Sequence, residues 1–317
     1  MGFPEKDHPI LNFRNRGTWI AHGALIENIN IAATAFGYEA QIQVFPNGEN
    51  TGITGRINFK KTEKPKDELF DSILLRATNR KPYKDKILTV KQKREFLISA
   101  QEINPNCDIR ITEDKLAKNI LGSAVSVNEV VMLENEKLHQ LFFDEIVWTK
   151  EEESKKQKGL YLKTMELGFP QRTALRLFKH WSIMKIANKF GVAKKIANDN
   201  AKTYSASSIM GIIIVDDTDK GFIDAGRIIE RLWLKATNEK LEFHLITGVM
   251  FFYQRVMSDP KGFSPVHIEL IKKTYNQIKE VFKVEKGVIA GLFRIGEDGK
   301  PTARSIKSPP EFIKKYV

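Results

Sequence analysis

Cysteine is all but missing from this chain. Cys107 stands alone, which excludes an internal disulfide and fits a reducing compartment. Long apolar runs are missing too: Ile209 to Val215 and Leu245 to Tyr253 fall well short of the ~20 residues that a bilayer-spanning helix needs. The opening Met1-Gly2-Phe3-Pro4-Glu5-Lys6-Asp7 has no apolar h-region, so no secretory signal is expected and a cytoplasmic location is. No G-x-x-x-x-G-K-[ST], G-x-G-x-x-G, G-x-S-x-G or H-E-x-x-H pattern occurs, so the usual phosphate-loop, dinucleotide, hydrolase and zinc-protease signatures are all lacking. The six histidines (His8, His22, His139, His180, His244, His267) sit singly, and no metal site is expected. Cys107 follows Pro105-Asn106 with no cation beside it, which suits an inert thiol better than a nucleophile. Tandem repeats and low-complexity tracts are likewise absent.

What remains is a globular composition. With 317 residues, 42% hydrophobic and 28% charged, the chain can bury a sizeable core in one large domain or two ordinary ones. The net charge of +12 favours anionic partners. The lysines are dispersed, however, as the pairs Lys60-Lys61, Lys155-Lys156, Lys194-Lys195, Lys272-Lys273 and Lys314-Lys315. No continuous basic stripe interleaved with aromatics appears, as a nucleic-acid groove requires. The expected partner is therefore a small molecule, with neither nucleic acid nor membrane, and a phosphate-bearing cofactor would be a local exception to a solvated lysine surface.

Hydrophobic periodicity predicts the elements. Thr18 to Phe36 is apolar on nearly every face, a buried helix stopped by Gly37. Glu39 to Phe45 and Ile53 to Phe59 alternate as a hairpin. Helices are predicted over Asp67 to Arg76, Val90 to Ile103, within Glu113 to Val147, over Thr173 to Asn198, Phe222 to Thr237, after Gly248, and over Pro265 to Phe282. Lys150 to Lys158 is a charge run, a loop or an exposed helix. Strands are predicted at Cys107 to Ile111, Ile209 to Val215, Phe243 to Ile246 and Val288 to Ile295, the second being β-branched enough to be buried on both faces. The fold class read from this pattern is α+β, with helices packed around a mixed sheet.

The segment Arg76-Ala77-Thr78-Asn79-Arg80-Lys81-Pro82-Tyr83 holds the most chemistry. Pro82 biases it toward an extended course, in which Arg76, Thr78 and Arg80 share one side. Two guanidinium groups and a hydroxyl would then suit a ligand with a phosphate and several acceptors. The alternative is a helix C-terminus whose arginines complement the dipole.

Arg76-x-Thr78-x-Arg80-x-x-Tyr83 resembles the arginine–serine/threonine–x–arginine/lysine–aromatic signature of the FMN-dependent nitroreductase family, although that aromatic sits one residue earlier. Gly23-Ala24-Leu25-Ile26-Glu27-Asn28 resembles the family's central G-A-x-x-E-N helix. Ala225-Gly226-Arg227 resembles the helix ahead of the flavin N5 contact, and Pro301-Thr302-Ala303-Arg304 the closing P-x-x-R. The resemblance is closest to the Acg-type branch, in which one chain holds two nitroreductase-like halves. It implies a partial first half over residues 1–64, a second half over 65–317, and a pseudo-dimeric monomer or a homodimer. The branch's opening S-x-N-x-Q-P-W segment has no counterpart before Gly17.

By the same resemblance Arg76, Thr78, Arg80, Lys202, Gly248 and Arg304 would bind FMN. Arg76 would face the pyrimidine edge, Thr78 the ring or ribityl chain, and Arg80, Lys202 and Arg304 the phosphate, while the Gly248 amide would approach N5. No catalytic side chain is implied, since the flavin carries the redox chemistry. The implied activity is ping-pong hydride transfer from NAD(P)H to nitroaromatic or quinone-like acceptors; the alternative is a non-catalytic FMN-sequestering protein. Glu27 and Asn28, on an apolar helix, must be paired if buried. Trp148, Trp181, Phe251 and Phe252 would line a substrate pocket or belong to the core.

Overall fold

A computed structural model describes residues 12–49 and 52–307. Residues 1–11, most of the stretch before Gly17 on which the missing S-x-N-x-Q-P-W segment is judged, lie outside the described residues. Helix α1 (Arg16–Ala35) leads into the hairpin β1 (Tyr38–Val44) and β2 (Gly55–Lys61), then the single turn α2 (Ser72–Leu75) and α3 (Val90–Ile103). Next come β3 (Asp108–Thr112), α4 (Lys115–Val125), α5 (Val127–Glu134), α6 (Glu136–Glu145), β4 (Ile146–Val147), α7 (Lys150–Lys156) and β5 (Leu160–Tyr161). The basic stretch forms α8 (Phe169–Phe178), α9 (Trp181–Lys189) and α10 (Val192–Ser205). The chain continues through β6 (Ile209–Val215), α11 (Asp219–Asn238), β7 (Glu242–Ile246), α12 (Gly248–Ser258), α13 (Pro265–Val281) and β8 (Val288–Gly296).

The main sheet has the order β3-β6-β8-β7, antiparallel throughout. Every residue of β6 is buried, and its side chains alternate between two cores as the pleat dictates. Ile209, Ile213 and Val215 pack with Phe96 of α3 and Phe222, Ile228 and Leu232 of α11. Met210, Ile212 and Ile214 pack with Leu121 of α4, Met250 of α12 and Ile278 of α13. The α+β reading therefore holds, with helices on both faces of the sheet. The run Lys115–Glu134 has the length and hydropathy to cross a bilayer, but half of it is buried inside the protein, which marks core.

Local chemistry explains most boundaries. Thr89 and Gln92 form a capping box at the start of α3, and Thr218 and Ser264 accept the N3 amides of α11 and α13, satisfying donors that a helix start leaves free. Two expectations need correction. The helix predicted over Asp67 to Arg76 is regular only at Ser72–Leu75, because the Asp67 carboxylate accepts the Leu69 amide, an Asx turn that competes with helix. Thr173 to Asn198 is broken into three helices, with Gly191 at φ +76 between the last two.

Helix α1 lies across α11 at backbone distance. A Cβ on Gly23 would collide with the Ile223 carbonyl, and one on Gly226 with the Ile20 carbonyl. At this crossing Glu27 is fully buried and accepts from Arg227 Nε at 3.0 Å and Arg231 Nε at 2.9 Å, so the carboxylate is paired as burial requires. Gly226→Ala is expected to lower unfolding free energy by about 3 kcal/mol, since neither backbone can yield. Gly299→Ala, which meets open space, should shift it by under about 0.5 kcal/mol; urea unfolding of both variants is the check.

Candidate functional site

Arg76 leaves α2 in an extended conformation (φ −58, ψ 139). Two residues on, Thr78 bridges Phe243 in parallel, laying the segment along the free edge of β7. The closing stretch of the chain is strapped over it. Asn79 Nδ2 donates to the Gly299 carbonyl at 2.9 Å, Lys81 Nζ to that of Lys300 at 2.8 Å, and Lys307 Nζ to those of Ile73 and Leu74 at 3.2 and 3.3 Å. Further along, the Thr302 amide donates to Glu166 at 2.6 Å and the Ile306 amide to Glu153 at 2.9 Å. The strap thus brings Pro301 to Arg304 beside Arg76 to Tyr83.

A cationic cluster results. The Arg76 guanidinium lies 4.7 Å over the Trp233 ring and pairs through Nε with Glu230 at 2.5 Å. Burial raises the Glu230 carboxyl above the usual range, and Arg76 opposes that shift. The Lys307 ammonium is depressed first by burial, then by Arg76 and by Arg304. Arg304 is exposed and also faces Glu242, whose carboxyl burial raises. Arg304 and Lys307 therefore converge on Arg76, which covers one face of the Trp233 indole while Phe243 stacks on it at 5.1 Å. Three cations with one buried carboxylate among them attract a phosphate. Lys307 was not foreseen; its signal was its place three residues after Arg304.

The remaining predicted residues do not gather here. Arg80 turns away and donates to the Thr164 carbonyl at 3.1 Å; its guanidinium is depressed by burial and stabilised by Tyr204 and Tyr83. Arg76 and Arg80 are thus not presented together. The fully buried Asn79 explains why: it caps the Lys81 amide and reaches Gly299, interrupting the alternation that a regular strand would impose. Thr78 joins the segment through its backbone. Lys202, 82% exposed on α10, has Asp199 at 3.8 Å as its one ion pair among the described residues. Gly248 opens α12, but a Cβ there would strike Asn128, so the glycine makes room for the protein's own side chain. The four aromatics divide among three cores, Phe251 with the α3/α11 side, Phe252 with Met132 and Leu138, and Trp148 and Trp181 with Phe143. Two open clefts, of about 390 Å³ beside Asn119 and Lys273 and about 430 Å³ beside Phe36 and Lys61, are lined by none of the predicted site residues.

Beneath the segment lies a buried polar cluster centred on Arg294, a charge inside an otherwise apolar strand. Arg294 is wholly buried and donates to the carbonyls of Lys81 and Thr203, each at 2.9 Å, and to His244 Nδ1 at 3.2 Å. It stacks 4.1 Å from the Tyr83 ring, whose hydroxyl donates to the Asn79 carbonyl. Tyr204 and Asn200 donate to Glu129 at 2.6 and 2.9 Å, and burial raises that carboxyl. Arg294 thus anchors residues 79–83 from below. Cys107 is buried, its thiol pushed up to about 12 by burial and by Asp224, which leaves it protonated and inert.

No protein-family model and no curated protein matches the sequence. Among solved structures, the FMN-dependent nitroreductase NfnB from Mycobacterium smegmatis, in complex with NADPH, is similar over 79% of this chain and 96% of its own, at 9% identity and TM-score 0.45. A BluB-like flavoprotein from Clostridium difficile 630 is similar over 78% and 98%, at 11% identity and TM-score 0.43. A nitroreductase with bound FMN from Bacteroides fragilis is similar over 76% and 94%, at 10% identity and TM-score 0.41.

The cluster around Arg294 has a pH signature. Burial, then Arg294 and Arg80, holds His244 well below its ordinary value of 6.5. The folded imidazole stays neutral while the unfolded one takes a proton, so its stability contribution is complete above pH 6.5 and declines as pH falls below it. Glu129 acts oppositely, since its folded carboxyl keeps a proton above 4.5 and its contribution declines as pH rises from there. His139, depressed by burial, adds to the His244 trend. His244→Gln should therefore flatten the acid side of the profile between about pH 6.5 and 5. Urea unfolding across that range checks it, and an unchanged slope would refute the assignment.

Proposed function

We propose that the chain binds FMN at the edge formed by Arg76, Arg304 and Lys307, and works as a flavin oxidoreductase of nitroreductase type. The convergence of Arg304 and Lys307 on Arg76, where the Lys307 ammonium also reaches the Ile73 and Leu74 carbonyls, is the observation that carries this reading. Arg304 and Lys307 would hold the phosphate, Arg304 with its planar fork and Lys307 as a point charge. Arg76, fixed by Glu230, would keep positive charge near the ring. When bound, FMN supplies the redox chemistry, taking a hydride from NAD(P)H and passing electrons to a nitroaromatic or quinone-like acceptor. Arg80 serves as a positioning residue, since it faces the Arg294 cluster, and Lys202 has no part. The partial first half over 1–64, the second half over 65–317 and a cytoplasmic location belong to the same proposal.

The close approach of Asn128 to Gly248 favours one further reading, a protein that binds flavin without turning it over, because the amide expected at N5 abuts a side chain. The test is a titration of the purified protein with FMN, followed by NADPH. FMN should bind, and Arg304→Ala with Lys307→Ala should weaken it by about tenfold to a hundredfold, the scale of lost charge-assisted contacts, while Lys202→Ala leaves it unchanged. Failure of the native protein to bind FMN would end the proposal. Bleaching by NADPH marks the oxidoreductase, and bleaching by dithionite alone marks the sequestering protein.

A further inference from the structure

Between Glu166 and Asp199 the chain has no acidic residue at all, yet it carries seven cations: Arg172, Arg176, Lys179, Lys185, Lys189, Lys194 and Lys195. These residues build α8, α9 and the start of α10. Among the described residues none of the seven has a carboxylate within ion-pair distance; the acid that ends the stretch, Asp199, is taken by Lys202. The same helices expose large apolar side chains. Phe169 is 76% and Phe190 83% exposed, and Leu177, Ile183 and Ile186 are exposed with them.

These residues fall in stripes. On α8, Phe169, Thr173 and Leu177 recur every four residues, with Arg172 and Arg176 flanking. On α9 and its C-cap, Ile183, Ile186 and Phe190 share one face, with Lys185 and Lys189 beside it. The opposite faces are already used: Leu175, Phe178, Trp181 and Met184 pack with Phe143 and Ile146, and Asn188 is held by the Leu133 carbonyl at 2.8 Å. Helix α8 has no buried residue. Each helix therefore has two apolar faces, one docked on the protein and one in water, with cations along the second.

We infer that α8 and α9 form a docking surface for an anionic lipid bilayer, with Phe169, Leu177, Ile183, Ile186 and Phe190 entering the interface and the exposed cations beside them, Arg176, Lys185 and Lys189, meeting acidic headgroups. Interfacial binding combines buried apolar area with attraction to anionic lipid, and this surface supplies both without a spanning segment. The sequence-based expectation of no membrane partner rests on spanning length and on lysines dispersed along the chain; this mode needs no spanning segment, and the stretch between Glu166 and Asp199 is locally rich in cations. A nucleic-acid groove would use the cations and could stack on Phe169 and Phe190, but it would leave Leu177, Ile183 and Ile186 against water, so the lipid surface fits the whole set.

The experiment is flotation of the full-length protein with vesicles of phosphatidylcholine alone and with about 30 mol% phosphatidylserine. Two double variants, Ile186→Ser with Phe190→Ser and Lys185→Glu with Lys189→Glu, alter exposed positions only, and unchanged circular dichroism and thermal midpoint identify them as folded. Binding is expected on the serine-containing vesicles and not on phosphatidylcholine alone, with each double variant losing about tenfold or more in partitioning. No flotation with anionic vesicles overturns the inference. So does retention of full binding by the apolar variant, or equally tight binding of the native protein to single-stranded DNA, since either outcome reports simple polyelectrolyte attraction. Flavin enters none of these measurements, so they stand apart from the proposed activity.

Discussion

The rest of the molecule is arranged around the place where α1 and α11 meet backbone to backbone. Gly23 and Gly226 permit that approach, and it leaves no room for water around Glu27, which must be neutralised by Arg227 and Arg231. Arg231 and Lys235 extend the pairing to Glu102 of α3. The crossing thereby fixes the rotation of α11 on the sheet. One face of α11 fills the core beside β6, and another presents Glu230 and Trp233 to Arg76. A methyl group at the crossing would disturb the cationic edge as well as the packing.

Much of this architecture was legible in the sequence because it rests on hydrophobic periodicity. The β-branched run of β6 announced a strand buried on both sides, and apolar periodicity announced α3 and α13, to which the structure adds the caps at Thr89 and Ser264. Two segments singled out far apart in sequence, Gly23 to Asn28 and Ala225 to Arg227, turned out to be the two sides of one contact. Their glycines and the lone carboxylate on an apolar helix were the readable signs.

The site was less legible, for reasons that are local and physical. Arg76 and Arg80 would share a face only in a regular strand, and Asn79, folded back on the Lys81 amide, breaks that regularity. Gly248 reads alike whether it yields to a ligand or to Asn128. Arg294 lies in a strand that reads as apolar, and its partners are mostly backbone carbonyls, which leave no trace in side-chain pattern. Lys307 stands three residues after Arg304, but its hydrogen-bond partners, the Ile73 and Leu74 carbonyls, lie more than two hundred positions away.

That separation has a kinetic side. The contacts by which the closing strap holds the Arg76 segment join residues 219 to 234 positions apart. They close loops of more than two hundred residues, whose closure entropy must be met before the contacts repay it. The hydrophobic sheet and its helices can condense first. The cationic edge is therefore built from the contacts of greatest sequence separation described for the strap, while the sheet and its helices rest on shorter ones. Substitutions confined to the strap's exposed side chains, such as Arg304, are consequently the ones that separate anion affinity from global stability, whereas changes at the α1–α11 crossing move both.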